Sequence, residues 1–153
     1  MWTEPELFQI FDSALKDISK RVAKMEVVSC PGTASLSAQE SWSLFSKTAG
    51  DYPITVVFRT NSSVLKAITY NMKRRPDDIT QEEISVYTKE FFNILCGHVI
   101  SAVNQATGAT AFFQVPEIQR GTYSTPEDRH LELHSKYYYK CPYGLIVLEA
   151  LCG

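Results

Sequence analysis

The segment from Thr80 to Gln105 constrains the fold most, because it joins a helix start signal to a long helical pattern. Thr80 and Glu83 have the spacing of a capping box, in which each side chain accepts a hydrogen bond from the other residue's backbone amide. Apolar residues then recur every three or four positions, which predicts a long helix with one face on the core. The residues expected on that face are Ile84, Tyr87, Phe91, Ile94, Leu95, His98, Val99 and Ala102.

The opposite side of this helix carries Glu90, Asn93 and Gly97, whose spacing of i, i+3 and i+7 places them on one stripe. Asparagine competes for backbone hydrogen bonds inside helices, and glycine there costs about 0.5–1 kcal/mol relative to alanine. A solvated acid and a glycine that lets another backbone approach would explain the stripe without a function. Two unfavourable residues beside an acid nevertheless make it a candidate site. We expect Val86 and Lys89 to contribute to binding together with Gly97.

The rest of the chain alternates between helical and period-two patterns. Two further helices are predicted, over Glu4 to Val22 and from Val64 to Met72, where Lys73-Arg74-Arg75 ends the second. Strands are predicted at Met25 to Ser29, Ser41 to Ser46, Pro53 to Thr60, Thr110 to Val115, His130 to Tyr139 and Tyr143 to Leu151. This pattern predicts an α+β fold, a two-layer sandwich of a mainly antiparallel sheet with helices.

Composition limits the class of protein. The 153 residues are expected to form one domain, and 15 Lys+Arg against 17 Asp+Glu argue against a strongly basic nucleic-acid surface. No apolar run approaches the roughly 20 residues that span a bilayer, and the acidic start lacks the features of a secretory signal. We therefore expect a cytosolic protein without nucleic-acid or membrane partners. Four scattered cysteines are expected to be free thiols: Cys30, Cys96, Cys141 and Cys152.

The stretch from Thr55 to Gly121 resembles the CheC/CheX/FliY family of chemotaxis phosphatases. The matching features are a strand leading into a short helix, the acidic break Pro76 to Asp78, the helix with Glu90-x-x-Asn93, and the strand at Phe112 to Pro116. The resemblance implies a CheX/CheC-like fold and hydrolysis of the aspartyl phosphate of a CheY-like response regulator, with Glu90 and Asn93 as the catalytic pair.

Relatives of the CheC type carry a second Glu-x-x-Asn on the first helix. The corresponding stretch here, Leu7 to Asp17, contains no asparagine, so the chain resembles the one-site, CheX-like branch. Those relatives pair their sheets edge to edge, and the resemblance therefore implies a homodimer.

An acyl phosphate is already activated, so catalysis consists mostly of placing water in line and stabilising charge. We expect Asn93 to orient that water and Glu90 to pair with a partner cation, which the resemblance suggests is the active-site lysine of the response regulator. No cofactor is expected on this chain, because any Mg²⁺ would belong to the partner. The alternative is a non-catalytic module of the same fold that binds a response regulator or a flagellar-switch component.

The other clusters of polar and aromatic residues give weaker indications of a function. His130 and His134, beside Asp128 and Glu132, have the spacing of a metal pair on a helix, but their alternation with apolar residues favours a strand with one polar face. A metal site is not expected there. The run Tyr137 to Lys140 is set aside as a nucleic-acid surface because no basic stripe accompanies it. His98 is expected to be a core or partner-packing histidine.

Overall fold

The computed structural model describes residues 3–32, 36, 40–50, 53–74, 77–123 and 133–152. The helices are α1 (Glu4–Ala23), α2 (Ser62–Lys73) and α3 (Gln81–Thr107). The strands are β1 (Val28–Ser29), β2 (Ser41–Ala49), β3 (Ile54–Asn61), β4 (Phe112–Phe113), β5 (Glu117–Arg120), β6 (Leu133–Cys141) and β7 (Gly144–Cys152). They form an antiparallel sheet in the order β1-β6-β7-β3-β2-β4, with β5 also paired to β2. The predicted α+β fold is confirmed.

The core lies between the helices and one face of the sheet. Phe58 of the central strand β3 is fully buried, and its ring meets those of Phe91 and Phe92 at centroid distances of 5.8 and 6.4 Å. On the neighbouring strand β7, Leu148 lies opposite Phe58 and is also buried. Helix α3 packs against both α1 and α2, which also contact each other.

The buried face of α3 differs from the predicted one. Tyr87, Ile94 and Ala102 are only half-buried. His98 is exposed, so of its two expected roles the core one is wrong, and packing against a partner stays a prediction. The observed buried face is centred at a different angle around the helix from the predicted one. Its residues are Ile84, Thr88, Phe91, Phe92, Leu95, Cys96, Val99, Ile100 and Val103. The pattern misled because a threonine occupies the core. The Thr88 hydroxyl donates to the Ile84 carbonyl at 2.6 Å, which satisfies its polar group.

Several predicted boundaries also shift. The strand expected at Thr110 to Val115 is only Phe112–Phe113, and it is followed by β5, which was not predicted. Strand β1 has two residues instead of five, because only Val28 and Ser29 pair with β6. The hairpin of β6 and β7 is present, although residues 124–132 lie outside the described part of the chain. Asn61 stands at the start of α2 but makes no capping bond, since its side chain bonds to Tyr143 and Leu145 instead.

An ion pair joins the end of α2 to the start of α3. The Lys73 ammonium lies 2.6 Å from the Glu83 carboxylate, which also accepts from the Thr80 amide at 3.0 Å. The Thr80 hydroxyl accepts from the Glu83 amide at 3.1 Å, so the predicted capping box is confirmed. The bond to Lys73 and then that to the Thr80 amide lower the pKa of Glu83, and the bond to Glu83 raises the pKa of Lys73.

The substitution Glu83→Gln tests this ion pair, because glutamine keeps a capping side chain but removes the charge. Since the folded-state pKa of Glu83 is lowered, its stabilisation is present above the ordinary glutamate pKa of 4.5 and is lost as the pH falls through the folded-state value. We expect the variant to melt below the wild type at pH 7, and the difference to vanish in acid. Thermal unfolding followed across pH measures it, with Glu82→Gln in the same turn as the control. An equal difference at every pH would contradict the ion pair's role.

Candidate functional site

Glu90, Asn93 and Gly97 all lie on the exposed side of α3. The helix is held at both ends, by the capping box at Thr80 and by Gly108, whose amide donates to the Asn104 carbonyl. Neither Glu90 nor Asn93 forms a side-chain hydrogen bond or ion pair with the described residues. An acid and a carboxamide therefore stand one turn apart with their hydrogen-bonding capacity available to another molecule.

A shallow groove of about 290 Å³ runs beside this pair. One wall is α3, which contributes Val86 and Lys89 as well as Glu90 and Asn93. The other wall is the segment 113–116, which leads from β4 towards β5. The groove therefore brings together four of the five residues singled out in the sequence. Gly97 does not line it and instead continues the exposed stripe one turn further along α3.

The second wall is tied to the sheet. The Gln114 amide donates to the Lys47 carbonyl at 2.9 Å, and the Gln114 carbonyl accepts from the buried Ser46 hydroxyl at 2.6 Å. Phe113 pairs with Thr48 of β2. The sequence did not identify these residues as part of a site, because their position beside α3 follows from the pairing of β4 with β2 across more than 60 residues of chain.

The described part of the structure gives no reason for a glycine at Gly97. Apart from its neighbours in the chain and the backbone of its own helix, a Cβ placed on it would meet no described atom within 4 Å, so no other part of the described fold approaches it closely. Its neighbours in sequence, Cys96 and His98, belong to opposite sides, one buried and one exposed. The fold therefore bears the helix-interior cost of this glycine without an internal benefit.

The remaining candidates lie apart from the groove. His98 faces a shallow hollow between α3 and α1, which Ser13 and Asp17 also line. His134 is exposed on β6, while Asp128, His130 and Glu132 lie outside the described residues. Among the residues that are described, no group of three or more His, Cys, Asp or Glu could hold a metal ion.

The four cysteines are free, as predicted, and burial raises the pKa of the Cys96 thiol. A membrane-crossing helix, long and apolar enough to span a bilayer, does not occur in the described ranges.

No protein-family model matches the chain, and no curated protein matches its sequence. Solved structures do match in fold. The chemotaxis protein CheX from Desulfovibrio desulfuricans has a TM-score of 0.78 at 12% identity, over 97% of this chain and 99% of its own. CheX from Vibrio vulnificus has a TM-score of 0.77 at 16% identity over 100% of both chains. The CheX-CheY-BeF3-Mg+2 complex from Borrelia burgdorferi contains a chain with a TM-score of 0.74 at 14% identity, over 95% of this chain and 97% of that one. The chain therefore has the fold of CheX proteins.

Replacing Gly97 by alanine tests whether the fold needs this glycine. The Cβ enters open space and the helix gains about 0.5–1 kcal/mol, so we expect the melting temperature to rise by about 1–4 °C. Thermal unfolding of Gly97→Ala beside the wild type measures the change. The control is Gly108→Ala, which should lower it because Gly108 has a φ of +74°. A fall in the Gly97 variant would mean that the fold itself requires the glycine.

Proposed function

We propose that this protein hydrolyses the aspartyl phosphate of a CheY-like response regulator. The observation that carries the proposal is the pair Glu90 and Asn93, exposed on a rigid helix and unbonded to the described residues, in a chain with the fold of CheX proteins. One structure with this fold is a complex with CheY, BeF3 and Mg, and it supports a protein of that kind as the substrate. The overall similarity of fold alone would not assign an activity, so the proposal depends on these two side chains.

The chemistry asked of the chain is positioning. The mixed anhydride of an aspartyl phosphate is activated, and phosphoryl transfer through a loose transition state needs little covalent help. In the proposal Asn93 enters the partner's site, where its amide oxygen accepts a hydrogen bond from the attacking water and its NH₂ group donates to a phosphoryl oxygen. A carboxamide has no useful basicity and needs none here.

The remaining residues of the site are assigned to docking of the partner: Glu90, Gly97, Val86 and Lys89. Glu90, one turn before Asn93, pairs with a cation of the response regulator, for which the active-site lysine is the candidate. Gly97 keeps the surface low so that the partner's backbone can approach, which would account for a glycine that the fold does not require. Val86 and Lys89 line the groove and contact the partner's rim. No cofactor is proposed on this chain, Mg²⁺ is assigned to the partner, and the cytosol remains the proposed location.

The substitution Asn93→Ala tests the water-positioning role. Removing one preorganised polar group should slow phosphate loss from a phosphorylated receiver domain by roughly 10²–10³ while folding and binding persist. Phosphate release under single-turnover conditions measures the rate, and circular dichroism checks the fold. A variant that dephosphorylates at the wild-type rate would rule out the role.

Glu90→Ala in the same assay separates docking from chemistry. Loss of an ion pair with the partner should raise the apparent KM, and an unchanged KM would remove the docking role. Asn104→Ala is a poor control because Asn104 bonds to Ala111, so Gln105→Ala, exposed at the end of α3, is preferable. The same assay decides between the proposed enzyme and the alternative, a non-catalytic binding module of the same fold. If the wild type binds receiver domains without accelerating phosphate release, the protein is a binding module.

A homodimer is proposed through an edge of the sheet. On the outer side of β6, pairing with β1 covers only Tyr139 and Lys140, so residues 133–137 lack a strand partner there within the described ranges. An open edge of this kind is a template for pairing with a second chain. Sedimentation or light scattering should give the mass of two chains at micromolar concentration. A mass of one chain would contradict the dimer.

A further inference from the structure

We propose that Val115, together with Val86, is the apolar docking contact for the response regulator and holds it over Asn93. This inference rests on the proposed function and identifies the part of the partner's surface that the site contacts. The two valines line opposite walls of the groove that contains Glu90 and Asn93. The partner's matching surface would carry an apolar side chain beside its phosphoryl group, with an acidic residue near Lys89.

Both valines are unusually open to solvent for apolar residues. Val115 is 85% exposed and Val86 is 59% exposed. A single exposed valine is common on protein surfaces and needs no explanation. Here, however, the two valines line the same groove as Glu90 and Asn93, whose side chains bond to no described residue. A molecule that binds in the groove can therefore contact both the apolar valines and the polar pair. Protein interfaces combine apolar contacts that become desolvated with polar groups beside them, and the groove offers both.

Val115 is held in place by its neighbours. Both backbone groups of Gln114 are bonded to β2, through the Lys47 carbonyl and the Ser46 hydroxyl. On the other side Pro116 is buried and has a fixed φ. The β-branched side chain of Val115 is itself stiff at χ1. Little conformational freedom is therefore lost when a partner covers it, which favours binding.

The geometry points to a receiver domain as the occupant. Asn93 lines the groove, so a protein that brings a phosphoryl group to Asn93 from that side lies against the wall from Phe113 to Pro116. The docking contact is therefore continuous with the proposed catalytic pair. A second copy of this chain is instead assigned to the edge of β6, which leaves the groove free.

The substitution Val115→Asp tests the contact, with a purified CheY-type receiver domain activated by beryllofluoride and Mg²⁺ as the probe. The dissociation constant from calorimetry should rise at least about tenfold, because a desolvated apolar contact is replaced by a charge. With a phosphorylated receiver, the apparent KM for phosphate loss should rise by a similar factor, and kcat should change less because Val115 does not touch the phosphoryl group. Val115→Thr, which keeps the shape, should weaken binding in the same direction by less.

Phe112→Asp is the matched control. Phe112 is 60% exposed on β4, three residues before Val115, but it precedes Phe113 and so faces the other side of the sheet, away from the groove. Its dissociation constant should equal that of the wild type. Equal binding by Val115→Asp and the wild type would overturn the proposal, as would equal weakening by both aspartate variants or a loss of rate without a loss of affinity.

The same measurements keep the two proposals apart. A wild-type protein that binds the activated receiver but does not accelerate phosphate loss disproves the proposed hydrolysis, while the comparison of Val115→Asp with Phe112→Asp still decides the docking contact. A wild-type protein that accelerates phosphate loss, with no effect of Val115→Asp on affinity, leaves the hydrolysis intact and disproves the contact.

Discussion

The packing of Phe91 and Phe92 against Phe58 determines which way α3 faces. Two adjacent residues are fully buried, so the helix cannot turn about its axis without pulling one aromatic ring out of the core. Glu90 and Asn93 directly flank this pair in sequence, and at 100° per residue they are driven to the opposite side. The exposed site is thus a consequence of the core contact beneath it.

The helix also compensates for residues that weaken it. Asn93 and Gly97 are poor choices inside a helix, yet α3 continues through them for 27 residues. Its capping box, the ion pair from Lys73 and burial along the length of the helix offset their cost. Gly97, the residue that disfavours the helix most, lies on the exposed stripe, and departures of this kind are expected where a surface serves function.

The features of α3 that were predicted correctly depend on interactions between residues close together in sequence. The capping box located the start of α3 to the residue, and the spacing of Glu90, Asn93 and Gly97 placed them on an exposed side. Long-range contacts explain the failures. Strand β5 exists because Ile118 lies opposite Leu44 of β2, although its charged sequence shows little strand pattern. The wall at Val115 likewise depends on the register of β4 with β2, which no local pattern encodes.

The openness of the groove bears on what kind of substrate suits the proposed chemistry. Asn93 stands on a convex helix surface, and a groove of about 290 Å³ with one low wall does not by itself exclude water or enclose a small acyl phosphate. Phosphoryl transfer gains from charges held in a site that solvent does not reach. A site of this shape is closed to solvent only when the substrate itself covers the open side of the groove. A folded receiver domain covers that side, whereas a free metabolite does not, so the shape of the groove favours a protein-bound phosphoryl group over a small one.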